Sequence, residues 1–383
     1  MSSREPQSAL AGIRVVELAT KVAGPGAGRY LADFGAEVIK VEAPGGDPIR
    51  SMGWVGPGET DSYFWKLVNR NKQVISLDLK GESGKAALWS LLADANVIIE
   101  NMRPGKLEAL GFSPDEMFKI NPKLVILRVS GFGQDGPYAH HPGFASMAEA
   151  LSGFSAILGE AGGPPLLPPI AVTDEVTALV GAFSTMVALR HAERTGEGQT
   201  IDVNLLTSMF QIMGPLPSAY AHMGYLQPRL GSGIPYSVPR GTYQCADGVW
   251  VSVSSSGENV ANRVLDLLGL KGDPRFANFQ ARSKNREALE KVLLDWLAAR
   301  PSDLVMSEFR RVDGAIARVL DMREIFADPH YQARGMITEV GGVVMQNLVA
   351  GLSKTPGQLR HPGRPFDADT ERVLAGLDLA PAR

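Results

Sequence analysis

The stretch GIRVVELATKVAGPGAGRYLADFGAEVIKVE, residues 12–42, decides the fold class of this 383-residue chain. Two short β-branched runs, Ile13 to Leu18 and Glu37 to Glu42, flank a segment of helical periodicity, Gly28 to Phe34. Strands that alternate with helices are typical of βαβ units, which build a mainly parallel sheet. The stretch therefore predicts a Rossmann-like α/β fold, with helices placed on the sheet faces by right-handed crossovers.

The same alternation continues well beyond this stretch. Further strands are predicted at Val74 to Asp78, Val97 to Glu100, Leu124 to Val129 and Thr200 to Asn204, and further helices at Gly84 to Ala93, Ala145 to Ile157 and Asp174 to Ala192. The prolines of Gly159 to Pro169 exclude a helix there, so this segment is predicted to be a loop. The phrase Arg194-Thr195-Gly196 is a helix stop signal.

Proline and glycine divide the chain into two domains. Residues 214–241 are rich in both and are predicted to be a linker-like crossing. The large Rossmann-like domain is expected over residues 10–213 and 330–383, because the strand pattern of Ile337 to Val349 suggests a return to it. A smaller α/β domain is expected over residues 242–329, with a hairpin at Gly241 to Ser254 that turns at Ala246-Asp247-Gly248, and helices at Asn259 to Leu268, Arg286 to Ala299 and Pro301 to Arg311.

Composition excludes several classes of function. The chain has 38 basic and 41 acidic residues, a formal charge of -3 and no long basic run, so nucleic acid is not an expected partner. Cys245 is the single cysteine and no Cys/His cluster has zinc spacing, which favours a cytoplasmic protein without a metal. No run of 18 apolar residues occurs, and the polar start lacks a signal core, so no membrane association is expected.

The glycines after the first predicted strand suggest a dinucleotide-binding loop, but their spacing does not fit. In the pattern G-x-G-x-x-G, the third glycine would fall on Arg29 counting from Gly24, or on Leu31 counting from Gly26. Five residues also separate Leu18 from Gly24, whereas the dinucleotide turn follows its strand directly. We therefore expect the helix here to receive some group other than NAD or FAD.

Asp174 lies after the proline-rich loop, at the head of an apolar helix. Its side chain could simply cap the helix, which is the ordinary role of aspartate in such a place. The same position also suits a nucleophile, because helix-end N–H groups and the helix dipole favour an ionised carboxylate. Carboxylates form covalent acyl intermediates in known enzymes. Position alone leaves both readings open.

Two histidines, a serine-nucleophile motif and one arginine bear on other possible functions. His140 and His141 form the histidine pair near a candidate loop, and adjacent residues seldom converge on one substrate atom, so a surface role is favoured. The nucleophile motif G-x-S-x-G does not occur, which argues against a serine hydrolase. Arg103 follows a predicted strand at the end where open α/β sheets bind ligands, although an exposed, solvated arginine is an equal alternative.

Several phrases, in one order along nearly the whole chain, resemble the class III CoA-transferase family, of the formyl-CoA, carnitine or CaiB/BaiF type. They are Gly12 to Leu18, Ala23-Gly24-Pro25, Gly35 to Glu42, Asn71-Lys72, Ser76 to Lys80, Glu100 to Gly105, Gly131 to Tyr138, Arg194 to Gln199 and Ala333-Arg334-Gly335-Met336. In that family the catalytic aspartate begins the helix that precedes the Arg-Thr-Gly phrase. The matching residue is Asp174.

The resemblance implies a coenzyme A transferase that binds no permanent cofactor. Asp174 would attack an acyl-CoA thioester to give a mixed anhydride and then an aspartyl-CoA thioester, and a carboxylic acid acceptor would reverse the sequence. Water must be excluded for the activated acyl group to survive. The positions that match coenzyme A contacts are Val22, Ala23, Ala43, Leu77, Lys80, Asn101, Met102, Arg103, His141 and Phe144. Lys80 and Arg103 would pair with phosphates.

The chain departs from the family pattern in places that bear on its activity. Some members carry basic residues where this chain has Ala43 and Ala109, and the shielding glycine-rich loop has only Ser254 to Glu258 as its nearest counterpart. α-Methylacyl-CoA racemases share the fold but carry a His-Asp pair where Phe144 and Ala145 stand here, and phenylalanine cannot transfer a proton. A non-catalytic acyl-CoA-binding protein is a further alternative. The resemblance also implies an interlocked homodimer.

Overall fold

The computed structural model describes residues 8–255 and 257–377. A sheet of six parallel strands dominates it, in the order β3-β2-β1-β4-β5-β6. These strands are β1 (Arg14–Glu17), β2 (Glu37–Glu42), β3 (Gln73–Ser76), β4 (Val97–Glu100), β5 (Val125–Ser130) and β6 (Gln199–Asn204). The strand order reverses between β1 and β4, as in dinucleotide-binding Rossmann folds. The predicted α/β class with a parallel sheet is confirmed.

Helices connect and cover the strands. They are α1 (Ala23–Asp33), α2 (Tyr63–Val68), α3 (Glu82–Ala93), α4 (Lys106–Ala109), α5 (Pro114–Ile120), α6 (Ala145–Leu151), α7 (Phe154–Ile157), α8 (Val172–Thr195), α9 (Leu205–Gln211), α10 (Leu216–Met223), α11 (Glu258–Leu267), α12 (Phe279–Lys284), α13 (Arg286–Ala298), α14 (Ser302–Arg311), α15 (Met322–Ala327), α16 (Pro329–Arg334) and α17 (Thr370–Ala375). Two 3₁₀ turns occupy Pro48–Ser51 and Pro274–Phe276.

Both faces of the large sheet are buried, which explains its nearly continuous apolar strands. Val15, Val97 and Leu127 point to one face and pack with residues of α1 and α8. The alternate strand residues, such as Val16 and Ile98, point to the other face and pack with residues of α3, α5 and α17. Because successive side chains of a strand point to opposite faces, each strand contributes to two hydrophobic cores, one on each face of the sheet.

The described residues fall into two compact units. The first takes those of Met1–Ser152, Pro168–Met213 and Gln332–Arg383, and the second takes those of Gly153–Leu167 and Gly214–Tyr331. Gly153–Leu167 was expected in the large domain, but backbone bonds hold it in the second unit. The N–H of Gly231 donates to the carbonyl of Gly159 at 2.9 Å, and the Arg229 guanidinium donates to the carbonyl of Ala156 at 3.1 Å.

The second unit contains a three-stranded antiparallel sheet of β7 (Arg240–Gln244), β8 (Trp250–Ser254) and β9 (Ile316–Arg318). The predicted hairpin joins β7 to β8, and Gly248 in its turn has φ of 81°. Val251, Val253, Leu293 and Phe309 are fully buried in its core. The chain then returns to the first unit through the hairpin of β10 (Ile337–Val340) and β11 (Val343–Gln346).

Several helices differ from the sequence-based prediction, including α8, which begins at Val172 rather than at Asp174. The first helix begins at Ala23 rather than Gly28, because Pro25 in its first turn has no N–H to satisfy there. The single helix expected over Ala145 to Ile157 is two, α6 and α7, which are separated at Gly153 with φ of 88°. The crossing at residues 214–241 contains the unpredicted helix α10, whose residues are all at least partly exposed.

Helix α8 is the longest helix, and by length and composition alone it could cross a membrane. Its contacts place it instead in the core of the first unit. Gly26 of α1 approaches so closely that an added Cβ would lie 2.7 Å from the Cβ of Ala178. Thr173, Thr177 and Thr185 on the same helix are fully buried. These contacts describe a core helix, and they place Ala178, in its second turn, directly against α1.

Candidate active site

Every residue expected to contact coenzyme A follows the carboxyl end of a strand in the large sheet. Val22 and Ala23 follow β1, Ala43 follows β2, Leu77 and Lys80 follow β3, Asn101, Met102 and Arg103 follow β4, and His141 and Phe144 follow β5. Open α/β sheets bind ligands at this edge, at the point where the strand order reverses. Here that point lies between β1 and β4, and side-chain bonds join the two loops that leave it.

Asn101 ties the loop after β4 to the loop after β1. Its side-chain oxygen accepts the N–H of Thr20 at 2.9 Å, and its side-chain amide donates to the carbonyl of Thr20 at 2.8 Å. On the same loop, the N–H of Met102 donates to the carboxylate of Glu100, the last residue of β4, at 2.7 Å. The residues on both sides of the crevice are therefore held by specific hydrogen bonds rather than by packing alone.

A buried ion-pair network lies beneath this edge. The ammonium group of Lys72 contacts both carboxylate oxygens of Glu17, at 2.9 and 2.8 Å, and donates to the carbonyl of Pro25 at 2.7 Å. Burial lowers the pKa of Lys72 to about 8, against the opposing effect of Glu17. Gly28 is required here, because an added Cβ would lie 1.9 Å from a carboxylate oxygen of Glu17.

The same network supports the loop after β1. Lys40 lies 3.5 Å from Glu17, forms a 2.8 Å ion pair with Asp47, and donates to the carbonyl of Ala19. Asp47 in turn accepts the backbone N–H of Lys21 with both oxygens, each at 3.1 Å. Of the three glycines at the start of α1, Gly28 makes room for this charged network, whereas Gly24 and Gly26 lie against the side chains of Ala19 and Ala178.

Asp174 is the third residue of α8 and is partly buried. Within the described chain its carboxylate accepts no hydrogen bond, and no side chain caps this helix, whose N-cap position is Ala171. The capping interpretation of Asp174 is therefore wrong, because the helix begins two residues earlier than predicted. Its carboxylate is left without a hydrogen-bond partner among the described residues.

Burial raises the pKa of Asp174 to about 6, with further increases from the carboxylates of Glu149 and Glu175 and an opposing effect of Lys21. The helix end was expected to favour the ionised form and so lower this pKa. The observed direction is the opposite, because loss of water and two nearby carboxylates outweigh the helix end. The group is nevertheless mostly ionised at neutral pH.

The three carboxylates near the start of α8 are held differently. Glu149 of α6 is buried and accepts the hydroxyl of Thr173 at 2.8 Å. Glu175 is bound by the guanidinium of Arg29 at 2.9 Å and the hydroxyl of Tyr30 at 3.0 Å. Both neighbours of Asp174 are thus engaged in hydrogen bonds, whereas Asp174 is not.

The expected coenzyme A contacts differ in exposure. Lys80 and Arg103 are exposed and form no ion pair in the described residues, so both cations are available for phosphate. Ala43 and Ala109 are exposed positions without charge, whereas Leu77 is buried. His141 is exposed with its ring centroid 5.4 Å from that of Tyr138. The histidine pair lies on the surface, since His140 is exposed as well.

Phe144 is 55% exposed and precedes α6, with the ammonium group of Lys21 4.3 Å from its ring centroid. It has no group that could exchange a proton. Of the expected shielding segment, Ser256 lies outside the described residues, and Glu258 is bound to Arg282 at 2.7 Å. In the described part of the chain, no three His, Cys, Asp or Glu side chains are grouped as metal ligands.

Sequence reasoning missed Lys21, Asp47 and Glu149. Glu149 had one available signal, since a glutamate in a short, otherwise apolar helix is either exposed or buried with a partner. Lys21 and Asp47 had none, because their contact joins two loops through a backbone N–H. All three lie in the first unit with Asp174.

Comparisons with known proteins agree with this geometry. Residues 10–370 match the profile of CoA-transferase family III. Succinyl-CoA–D-citramalate CoA-transferase of Chloroflexus aurantiacus is 36% identical over 98% of this chain and 96% of its own length. Succinate–glutarate CoA-transferase of Agrobacterium fabrum is 33% identical over 99% of this chain and 97% of its own.

A solved structure extends the likeness to three dimensions. The crystal structure of a CaiB/BaiF family protein from Brucella suis superposes with a TM-score of 0.86 and 31% identity. The match covers 97% of this chain and 100% of that one. The family profile, the relatives and the fold all point the same way, and the chain belongs to CoA-transferase family III, enzymes that act on coenzyme A thioesters.

Proposed function

We propose that the chain transfers coenzyme A from an acyl-CoA thioester to a carboxylic acid, with Asp174 as the nucleophile. The observation that carries this proposal is the state of Asp174: a partly buried carboxylate without a hydrogen bond in the described chain, in the first turn of α8. A carboxylate freed from fixed partners and partly removed from water keeps its lone pairs available for attack.

The reaction divides into four balanced steps. A carboxylate oxygen of Asp174 attacks the thioester carbonyl, and the coenzyme A thiolate leaves a mixed anhydride behind. The thiolate then attacks the aspartyl carbonyl, releases the donor acid, and forms an aspartyl-CoA thioester. The acceptor carboxylate attacks this thioester to give a second anhydride, and the thiolate attacks the acceptor carbonyl. The product thioester departs and the Asp174 carboxylate is restored.

The pKa of Asp174 suits this role at neutral pH. With a pKa of about 6, roughly nine-tenths of the group is ionised at pH 7. Its conjugate base is also a stronger base than an ordinary aspartate, and nucleophilicity generally rises with basicity within one class of group. Activity should accordingly decrease below about pH 6, as Asp174 takes up a proton.

Coenzyme A is proposed to occupy the carboxyl edge of the sheet. Exposed Lys80 and Arg103 would bind phosphates through charge-assisted hydrogen bonds. The remaining contacts are assigned to Val22, Ala23, Ala43, Leu77, Asn101, Met102, His141 and Phe144. Without basic residues at Ala43 and Ala109, Lys80 and Arg103 would carry most of the charge that faces the nucleotide end.

The names of the relatives suggest which carboxylic acids to test first as acceptors. They include D-citramalate, glutarate and, in an Acetobacter aceti relative that is 31% identical, oxalate. All three are acids with two carboxyl groups, and succinyl-CoA is a named donor. We therefore propose a small dicarboxylic acid as acceptor and succinyl-CoA as the first donor to test. A panel of donors and acids, followed by liquid chromatography, would identify the pair.

We also propose a cytoplasmic homodimer in which two chains interlock. The support in this chain is the outer side of α8, where Leu179, Phe183 and Val187 are 46%, 70% and 55% exposed. An apolar stripe of this kind is costly in water and suits a second copy. Light scattering that shows a stable monomer would exclude this arrangement.

The decisive experiment replaces the nucleophile. Asp174→Asn removes the attacking oxygen at nearly constant volume and is expected to lower kcat by at least about 1,000-fold, as other losses of a catalytic nucleophile do. Asp115→Asn, an exposed aspartate of α5, is the matched control. Incubation of the wild-type enzyme with acyl-CoA and hydroxylamine should place a hydroxamate on Asp174 by mass spectrometry. Full activity of Asp174→Asn would exclude this mechanism.

Two alternatives are separated from transfer by simple results. A racemase needs an acid and a base beside the thioester, and Phe144 and Ala145 provide neither. Incorporation of α-deuterium into a branched acyl-CoA, in deuterated water and without acceptor acid, would favour racemisation instead. The alternative of a non-catalytic acyl-CoA-binding protein is disfavoured, because the relatives that match nearly the whole chain are named CoA-transferases.

A further inference from the structure

Arg128 is a charged residue within a buried strand. The sequence of β5, residues 125–130, is VILRVS, and Arg128 is 8% exposed between the buried residues Leu127 and Val129. A buried guanidinium is costly unless acidic groups pair with it. The partners that the fold gives Arg128 therefore indicate why a cation stands at this position.

The register of the large sheet supplies the first partner of Arg128. It lies directly beside Glu100, the last residue of β4, and its Nε donates to the Glu100 carboxylate at 2.8 Å. On its other side lies Asp202 of β6, whose carboxylate accepts the N–H of Gln134 at 2.9 Å. Glu100 is fully buried, so this ion pair joins two charges that are removed from water.

The second partner of Arg128 lies at the far end of the segment that follows β4. The Nη1 of Arg128 is 2.9 Å from a carboxylate oxygen of Glu108 in α4. Glu100 and Glu108 flank residues 101–107, so one guanidinium binds both ends of this 101–107 segment. The other oxygen of Glu100 accepts the N–H of Met102 at 2.7 Å, which fixes the beginning of the same segment.

The 101–107 segment carries two cations without an ion pair. Arg103 and Lys106 are both exposed, and neither is paired with an acid in the part of the chain that the structure describes. Gly105, with φ of 84°, turns the backbone between them, and the N–H of Lys106 donates to the carbonyl of Arg103 at 3.0 Å. Two such cations three positions apart suit the phosphates of a nucleotide.

We propose that Arg128 is a positioning residue for coenzyme A, because it bridges Glu100 and Glu108 and so holds Arg103 and Lys106 where they bind phosphates. This inference rests on the proposed function, in which coenzyme A occupies the carboxyl edge of the sheet. Side chains on a fixed backbone lose less conformational freedom on binding, so the bridge should act on affinity for the coenzyme. Arg128 acts through the segment and needs no contact with the ligand.

Substitutions at the more exposed end of the bridge test it with little risk to folding. Glu108→Ala removes a side chain that is 33% exposed and leaves the buried pair of Arg128 and Glu100 intact. Arg128→Met combined with Glu100→Gln removes the whole bridge, while the glutamine keeps an acceptor for the Met102 N–H. Glu116→Ala is the matched control, because it breaks an exposed ion pair on α5.

The dissociation constant of free coenzyme A, measured by isothermal titration calorimetry, reports the effect of the bridge without catalysis. Glu108→Ala should weaken binding about 3- to 10-fold and the double variant about 10- to 30-fold, since charge-assisted contacts are loosened. Glu116→Ala should bind like the wild type. In steady-state assays the KM for acyl-CoA should rise by similar factors, while kcat and the KM for the acid should change less than about twofold.

A variant without the two cations separates positioning from a general structural effect. When Arg103→Met and Lys106→Met are already present, Glu108→Ala should weaken binding less than about twofold further, because the groups that it positions are gone. A loss as large as in the wild-type background would overturn the role of Arg128.

The other possible failures are also distinct. If loss of both cations leaves the affinity for coenzyme A unchanged, the proposed placement of the coenzyme is overturned, and this inference with it. If the cations matter but the bridge variants bind like the wild type, the packing of fully buried Leu107 fixes the segment, and the role of Arg128 is overturned alone. Full activity of Asp174→Asn would overturn the proposed mechanism, while the binding measurements would still decide on Arg128.

Discussion

Glu17 and Asp174 are two acidic side chains of the same unit in opposite circumstances. Glu17 in β1 is fully buried, with both oxygens bound to Lys72 and a second lysine, Lys40, at 3.5 Å. Asp174 in α8 is only partly buried, accepts no hydrogen bond in the described chain, and has its pKa raised to about 6. The more deeply buried acid is thus the better satisfied one.

The difference in hydrogen bonding separates a carboxylate that holds its neighbours in place from one whose oxygen atoms are free to react. A carboxylate with all its lone pairs engaged is fixed in position and has no oxygen free for attack, but it holds its neighbours in place. A carboxylate without such partners costs stability and remains reactive. Through Lys40 and Asp47, the paired network around Glu17 supports the loop that carries Lys21.

The largest expected effect on stability comes from removing Lys72, the main ion-pair partner of Glu17. Lys72→Met should lower the free energy of unfolding by about 3–5 kcal/mol, because it leaves a buried carboxylate without its main cation. Urea denaturation at pH 7.5 measures this, with the exposed Lys119→Met as control. A loss below about 1 kcal/mol, the range of surface ion pairs, would show that Lys40 alone satisfies Glu17.

A second expected effect on stability comes from substituting Gly28, whose lack of a side chain leaves room for the Glu17–Lys72 ion pair. An alanine Cβ at Gly28 would lie 1.9 Å from a Glu17 oxygen and 3.5 Å from the Lys72 nitrogen. Gly28→Ala should therefore cost about 1–3 kcal/mol, even though alanine is the better helix former, because the buried pair must shift.

Gly351→Ala provides the control for that substitution, since no atom lies within 4 Å of an added Cβ there. The same urea denaturation compares the two variants. If Gly28→Ala were as stable as the wild type, Glu17 would have a second arrangement available. The network could then not be regarded as a rigid support for the loop after β1.

The strands and helices of the fold also show what the sequence can and cannot predict. The strands Glu37–Glu42 and Val97–Glu100 were predicted to the residue, because β-branched runs buried on both faces have a strong signal. The start of α1 was missed by five residues, since a Gly-Pro-Gly run resembles a turn although proline is tolerated in a first helical turn. The helix Leu216–Met223 was missed because flanking prolines hid it.

The candidate site around Asp174 was predictable only in part. Asp174 is predicted as the catalytic residue from the order of phrases along the chain, while its local position suggested a helix cap. The direction of its pKa was predicted wrongly, because that direction depends on burial and on Glu149, which is 25 positions away in the sequence yet acts on Asp174 in the fold. Contacts between distant loops, such as Lys21 with Asp47, have no signal in residue periodicity.

A further expected effect is a gain in stability when Asp174 is replaced. The pKa of Asp174 is raised from its usual 3.8 to about 6 on folding. The folded state therefore holds a proton that the unfolded state loses, and stability decreases as the pH rises from about 4 through 6. Asp174→Asn removes this loss, so it should be more stable than the wild type by about 1–3 kcal/mol at pH 7.5.

The pH dependence distinguishes this cause from a general effect of the substitution. Urea denaturation at several pH values should show the advantage of Asp174→Asn shrinking towards pH 4, where the folded wild-type carboxyl group is protonated and the unfolded one is about half protonated. Asp115→Asn should show no such trend, since Asp115 is exposed. An advantage that is the same at pH 4 and pH 7.5 would mean that the ionised carboxylate is not the source of the cost. Asp174 would then differ from Glu17 in its hydrogen bonds, but its negative charge would not lower the free energy of unfolding.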